Sequence, residues 1–264
     1  MSKTEHILSG PIGRVAVVVL FLAAWEGTAR LGWISPFFFS SPSEVFDVIR
    51  VWYARGHIFG NMGFTLAEAF IGLVIGAVLG TAIGFALAFL PRVAAVVEPF
   101  MAIMNSFPRL TLAPLFIVWF GFGMAPKIVL VATFILFMCY LNAYTGLRQV
   151  PPELIDRARL WGATRWDLAR DIYLPSAASW ILTGLRASVG FAVIGAVVGE
   201  YIGGDSGIGF LILTGQSRLR IREVFAGLAL LLIAAIFIDY LLRRIESYLL
   251  RWRAEASASG HQMT

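Results

Sequence analysis

The chain alternates long apolar runs with short polar interruptions. A helix needs about 20 mostly apolar residues to cross a bilayer, and six runs reach or approach that length: about 12–31, 64–90, 98–120, 125–147, 177–201 and 224–242. The pattern predicts an all-α integral membrane protein with six transmembrane helices. Residues 1–253 read as a single transmembrane domain, and 254–264 as a small, polar tail predicted to be disordered. The first run follows a basic start, as a signal peptide would. It is long enough to span, and no small-x-small cleavage site precedes polar sequence, so it reads as a retained span.

The polar positions inside and between the runs add detail. Glu26 and Arg30 are four apart near the end of the first span and can pair on one helix face. Ser41-Pro42-Ser43-Glu44 predicts a helix start, with a short helix over Val45 to Tyr53 outside the bilayer. The second span has glycine at every fourth position, Gly72, Gly76, Gly80 and Gly84, a stripe where a neighbouring backbone can approach closely. Glu68 near its start reads as interfacial. Pro99, Pro108 and Pro114 interrupt the third span, and broken helices at membrane depth are tolerated where they face protein or a water-filled cavity. Asn105, Ser106 and Arg109 near that break are therefore candidates for lining a pathway, with an interfacial arginine as the alternative for Arg109. Gly121-Phe122-Gly123 predicts a turn. Asn142 in the fourth span, and Arg186 and Glu200 in the fifth, are the further pathway candidates, Glu200 being close enough to the end to read as interfacial. The run from Gly203 to Gly209 matches no phosphate-binding fingerprint and reads as a turn or re-entrant bend.

One stretch, 151–175, is polar and long for a connector. Pro151 and Pro152 can open a helix, and Gly162 can end it with a left-handed residue. Thr164 and Asp167 fit a capping box for a second helix, which Pro175 is expected to stop. The expected product is a hairpin of two short amphipathic helices on which a partner docks, or one that lies on lipid headgroups.

Composition excludes a soluble domain. The chain is 59% hydrophobic and 14% charged, against about 25% charged in soluble domains. In that setting a net charge of +5 reads as membrane-flanking arginine rather than nucleic-acid binding. Lysine and arginine are more numerous on the side holding both termini and the hairpin, which the positive-inside rule makes cytoplasmic. Arg218, Arg220 and Arg222 fall on the other side, where the cluster reads as a patch that concentrates anions. The one cysteine, Cys139, excludes an intramolecular disulfide and reads as a small buried apolar residue. His6, His57 and His261 have no metal-ligand spacing, so no metal site is expected. No catalytic motif appears, and neither Lys3 nor Lys127 follows a glycine as a P-loop requires. A nucleotide, if one is used, is therefore expected on another subunit.

At the hairpin the sequence resembles the permeases of bacterial ABC importers. Their cytoplasmic signature is Glu-Ala-Ala, three residues, Gly, nine residues, then Ile-x-Leu-Pro. Here Asp156-Arg157-Ala158, Gly162 and Ile172-Tyr173-Leu174-Pro175 keep the spacing, with Asp156 for Glu and Arg157 for Ala as departures. Ser41-Pro42-Ser43, Trp119-Phe120-Gly121-Phe122-Gly123, Thr183-Gly184-Leu185-Arg186 and Phe225-Ala226-Gly227 are similar to the nitrate/sulfonate/taurine-type branch. The resemblance implies a permease subunit in the bacterial inner membrane that takes up a small anionic solute such as a sulfonate, taurine or nitrate. It implies a permease homodimer, a cytoplasmic ATPase subunit that binds the ATP and Mg, and an extracytoplasmic binding protein; this chain is expected to hold no cofactor. It makes the hairpin, with Glu153, Asp156, Arg157, Ala158, Arg159, Trp161, Gly162, Ala163, Thr164, Arg165, Trp166 and Asp167, the ATPase-coupling site. The alternative class is an ion-coupled secondary carrier or channel. That class needs polar groups in mid-span, of which there are few, and no second inverted half is visible.

Overall fold

The computed structural model describes residues 11–35 and 37–249, so the 254–264 tail lies outside the described residues. Described elements are helical: α1 Pro11–Arg30, α2 Pro42–Ala54, α3 His57–Phe89, α4 Pro91–Ser106, a 3₁₀ turn Arg109–Leu112, α5 Ala113–Phe120, α6 Met124–Arg148, α7 Pro152–Leu160, α8 Arg165–Asp167, a π turn Leu168–Tyr173, α9 Leu174–Gly203, α10 Ile208–Ser217 and α11 Ile221–Leu249.

The centre of the bundle is α6, held between α3 and α9. Gly72, Gly76, Gly80 and Gly84 of α3 all face it. A Cβ at Gly72 would stand 2.5 Å from Val131 Cβ, one at Gly76 2.6 Å from the Ala132 carbonyl, and one at Gly84 2.8 Å from Ala143 Cβ. The matched residue numbers rise together, so α3 and α6 run parallel. Against α9 the numbers run oppositely: Gly199 meets Lys127, Gly195 meets Val131, and Gly184 meets Asn142. Ala69, Leu73, Val131, Ile135, Cys139, Ala192 and Ala196 fill the seam between the three helices.

Two parallel neighbours require the chain between them to cross back. It does so with a break. The run Pro91–Ser106 and the run Arg109–Phe120 meet at 85°, where Pro108 cannot continue a helix. Ala94 packs with Leu87 and Tyr140 at one end of the bundle, whereas Phe116 packs with Leu130 at the other. The third predicted span, 98–120, is therefore a bent pair rather than one rod.

Among the described residues four helices are long and apolar enough to cross a membrane: α3, α6, the run Arg165–Gly203, and α11 over Ile221–Leu241. The bent pair makes a fifth if it is one crossing. A sixth crossing would fall to α1, 20 residues long with exposed apolar side chains from Val15 to Leu22.

Around the end away from the hairpin, α2 caps the bundle. Ser41 accepts from the Glu44 N–H as its N-cap, and Val45 and Trp52, seven apart, bury one face against Ile58, Ile208, Ala226 and Leu230. The Glu26–Arg30 pair forms at 2.6 Å, and Glu26 also accepts from the Ser43 N–H and hydroxyl, which ties α1 to the start of α2.

The glycine seam makes a prediction. A Cβ at Gly80 would overlap the Leu136 carbonyl, whereas one at Gly63 meets nothing within 4 Å. Gly80→Val is expected to destabilise the protein by about 1–3 kcal/mol or more through overpacking against rigid backbone. Gly63→Ala is expected to be neutral, or to stabilise by up to about 1 kcal/mol through helix propensity. Thermal unfolding of the detergent-purified variants checks the pair; equal transitions would contradict the seam.

Candidate functional site

The hairpin is built by local turn chemistry. At the end of α7, the Gly162 N–H donates to the Arg159 carbonyl at 2.9 Å and the Ala163 N–H to the Ala158 carbonyl at 3.0 Å. This pair of bonds closes a helix C-terminus with a left-handed residue, and Gly162 has φ +85°. The next residues open the second arm. Thr164 Oγ and N–H both donate to Asp167 Oδ2, at 2.6 and 2.8 Å, and the Asp167 N–H donates to Thr164 Oγ at 3.2 Å. That is a capping box with Asp in the third position.

Pro175 does not stop the second arm, contrary to the sequence expectation. The helix runs on from Arg165 to Gly203. The wide π turn at Leu168–Tyr173 lies immediately before Leu174-Pro175 and takes up the proline's missing N–H and ring, which a regular α-helix would meet as a clash.

The hairpin leaves large apolar side chains in the open. Leu160 is 84% exposed, Trp161 91% and Trp166 72%. They surround the Gly162 turn, while Asp156 and Arg159 pair across the exposed face of α7 at 3.6 Å. Leu168 is buried beneath, and Tyr173 packs edge-on against Phe89 at 4.9 Å, anchoring the arm to the end of α3. The Thr164 hydroxyl and N–H hold the Asp167 carboxyl below its usual range. A depressed carboxylate stabilises what it caps above the ordinary carboxylate range and loses that effect as pH falls. The protection factors of the first amides of the second arm, with the intrinsic pH dependence of exchange divided out, are therefore expected to fall on acidification, and Asp167→Asn should show the lower protection already at neutral pH. Protection factors that stay constant with pH in the native chain would contradict the cap.

At the opposite end of α9 lies a second polar cluster. Glu68, Lys127 and Glu200 are each no more than 2% exposed. Lys127 Nζ pairs with Glu68 Oε1 at 2.8 Å. Glu200 Oε1 accepts from Thr65 Oγ at 2.6 Å, and Oε2 accepts from the Gly209 N–H. The Ile208 N–H donates to Thr65 Oγ at 2.9 Å and the Gly207 N–H to Asn61 Oδ1 at 2.8 Å. The Gly203–Gly209 loop is thus a turn whose N–H groups are taken up by α3 and α9, and a Cβ at Gly207 or Gly209 would strike the Glu200 carboxylate. Glu68 and Glu200 are buried within the chain at this end of the bundle, which takes Glu200 off any open surface of this chain. The sequence pattern does not reveal Lys127 as the partner of Glu68, Thr65 as the partner of Glu200, or Asn61 as the acceptor from the Gly207 N–H. The one available signal was that Lys127 is one of only two lysines and opens an apolar helix.

The other pathway candidates are dispersed. Asn105 and Arg109 sit together at the break, where Arg109 Nη2 donates to Asn105 Oδ1 at 2.8 Å. Asn142 donates to the Met138 carbonyl and lies against Gly184, and Arg186 is exposed on α9. The Arg218–Arg222 cluster is not a purely cationic patch. Arg220 pairs with Glu223 at 2.9 Å, and Arg55, Arg220 and Arg222 line a cleft with Glu44, Asp47 and Glu223.

These features define a class: a helical membrane protein whose polar hairpin offers an exposed, rigid, aromatic-flanked turn at one end of its spans. Residues 72–252 match the binding-protein-dependent transport system inner membrane component family, and the chain belongs to it. SsuC of Bacillus subtilis (strain 168), provisionally named an aliphatic sulfonates transport permease, is 31% identical over 234 residues, 89% of this chain and 85% of that one. RibX of Chloroflexus aurantiacus, a riboflavin transport system permease, is 34% identical over 245 residues, 92% of this chain and 91% of that one. The fold matches a chain of the MetNI methionine ABC transporter in an inward facing conformation with TM-score 0.62 at 21% identity, over 73% of this chain and 95% of that chain. The protein is therefore an ABC importer permease and a multi-pass inner-membrane protein. Its family consists of transporters rather than enzymes.

Proposed function

We propose that this chain forms the substrate pathway of an ATP-driven importer for a small anionic solute, in the sulfonate class that SsuC's name suggests. The hairpin is the place where a separate cytoplasmic ATPase subunit, which binds the ATP and Mg, drives it. Two copies of the chain form the pathway, six spans place both termini and the hairpin in the cytoplasm, and an extracytoplasmic binding protein delivers solute to the other face. Asn105, Arg109, Asn142 and Arg186 supply the polar lining.

The observation that carries the coupling role is the hairpin turn. Trp161 and Trp166 project from a turn that two capping motifs hold rigid, so a partner groove meets preorganised anchors. The spans move as ATP-driven closure of the ATPase pair shifts the hairpin. The experiment is affinity purification of the tagged chain from its native membrane. An ATPase with a P-loop is expected to accompany it, and Trp161→Ala with Trp166→Ala should remove that ATPase, since buried aromatic anchors are each worth about 2 kcal/mol or more. Retention of the ATPase by the double variant would move the docking surface elsewhere.

A further inference from the structure

The break between α4 and α5 holds a charge at an unusual depth. The Arg109 guanidinium lies over the rings of Phe137 at 4.5 Å and Phe134 at 5.7 Å. Both belong to the middle of the 25-residue α6, roughly ten residues from either end, or about 15 Å along the axis. That is about half the thickness of a hydrocarbon core. Arg109 is therefore near the midplane, where an ionised side chain is costly and marks a solute or ion pathway.

Its partners do not neutralise it. Nη2 donates to Asn105 Oδ1 and to the Asn105 and Met104 carbonyls, which pins the end of α4. Among the described residues no carboxylate lies within ion-pair reach of it. Nε is buried with no partner at all, and an unpaired buried donor is expensive unless something completes it. Holding two carbonyls requires donors but not a permanent charge. The printed bonds all leave from Nη2, so Nη1 of a guanidinium held over aromatic rings can still donate to the oxygens of an oxyanion.

We propose that Arg109 is the anion-recognising residue of the pathway, taking the sulfonate, carboxylate or similar oxyanion group of the solute at mid-bilayer depth. This rests on the reading of the chain as a permease for an anionic solute.

The test uses the full chain in lipid nanodiscs and reads charge preference rather than transport. Ser106 is exposed beside Asn105, the residue that Arg109 holds across the break, and its hydroxyl bonds the Ala102 carbonyl. Ser106→Cys therefore places a thiol beside the guanidinium, while the native Cys139 is fully buried and silent. The probes are the anionic sulfonatoethyl and the cationic trimethylammonioethyl methanethiosulfonates. The anionic-to-cationic rate ratio at Ser106→Cys should exceed that of free 2-mercaptoethanol by on the order of tenfold, from one unit charge nearby in a poorly screened site. Adding Arg109→Gln should return it to the free-thiol value, and Arg109→Lys should keep most of it. The proposal is overturned if Ser106→Cys reacts with neither reagent, if its ratio matches the free thiol, or if Arg109→Gln leaves the ratio unchanged. The comparison with free thiol needs no change at Arg109, so it stands if the glutamine variant misfolds. Absence of a co-purifying ATPase would sink the ATP-driven reading and leave this ratio untouched.

Discussion

Gly162→Val is expected to uncouple the transporter while leaving its spans folded. The residue holds φ +85°, and a Cβ there would meet nothing within 4 Å. The obstacle is thus the backbone itself and not a neighbour. A β-branched residue in the left-handed region costs about 1–3 kcal/mol, which the turn can relieve only by changing shape. The displaced shape reorients Trp161 relative to Trp166, and the population of hairpins ready to dock falls roughly 5- to 100-fold. Solute-stimulated ATP hydrolysis and uptake by the reconstituted complex should fall together, whereas thermal unfolding of the spans should not move. Gly162→Asn is the internal control, since asparagine enters the left-handed region readily. Full coupling in the valine variant, or equal loss in both, would refute the role assigned to the turn.

Lys127→Met is expected to be the most damaging single change to stability, at about 3–5 kcal/mol. Removing the ammonium leaves Glu68 and Glu200 as buried carboxylates on adjacent helices without a cation. Thr65 and Gly209 continue to serve Glu200, but Glu68 loses its one hydrogen bond. The double variant Glu68→Gln with Lys127→Met removes both charges of the pair and should recover much of the loss. Thermal unfolding in detergent distinguishes the three proteins. A Lys127→Met chain as stable as the native one would show that the pair lies in water rather than in the packed end of the bundle.

What was readable in the sequence was local. The hairpin follows from residues within four positions of one another: Gly162 behind a helix, Thr164 three before Asp167. The glycine stripe is a repeat along one helix, and the break after Ser106 follows from Pro108. What was not readable was long-range. Glu68 and Lys127 are 59 positions apart and Thr65 and Glu200 are 135 apart. Only the parallel packing of α3 on α6, and the return of α9, brings them together. A single carboxylate near a helix end has the same sequence appearance whether it faces water or a lysine. Pro175 failed for a related reason. Proline predicts a helix boundary, but a π turn one step earlier can absorb it, and the signal for a π turn lies in packing rather than in residue type.

That π turn has a mechanical consequence. Because the second hairpin arm and α9 are one helix, the 39 residues from Arg165 to Gly203 form a single beam, about 58 Å long at the usual rise. One end carries Trp166 at the hairpin turn, and the other carries Glu200, bonded to the Gly209 N–H of the loop. Its middle rests on α6 through Gly184 and Gly195, whose missing side chains leave room for Asn142 and Val131. A tilt of about 10° about that midpoint displaces each end by about 5 Å in opposite senses. If docking at the hairpin tilts this beam as proposed, the Gly207–Gly209 loop at its far end is carried the opposite way, with no intermediate part to take up the slack.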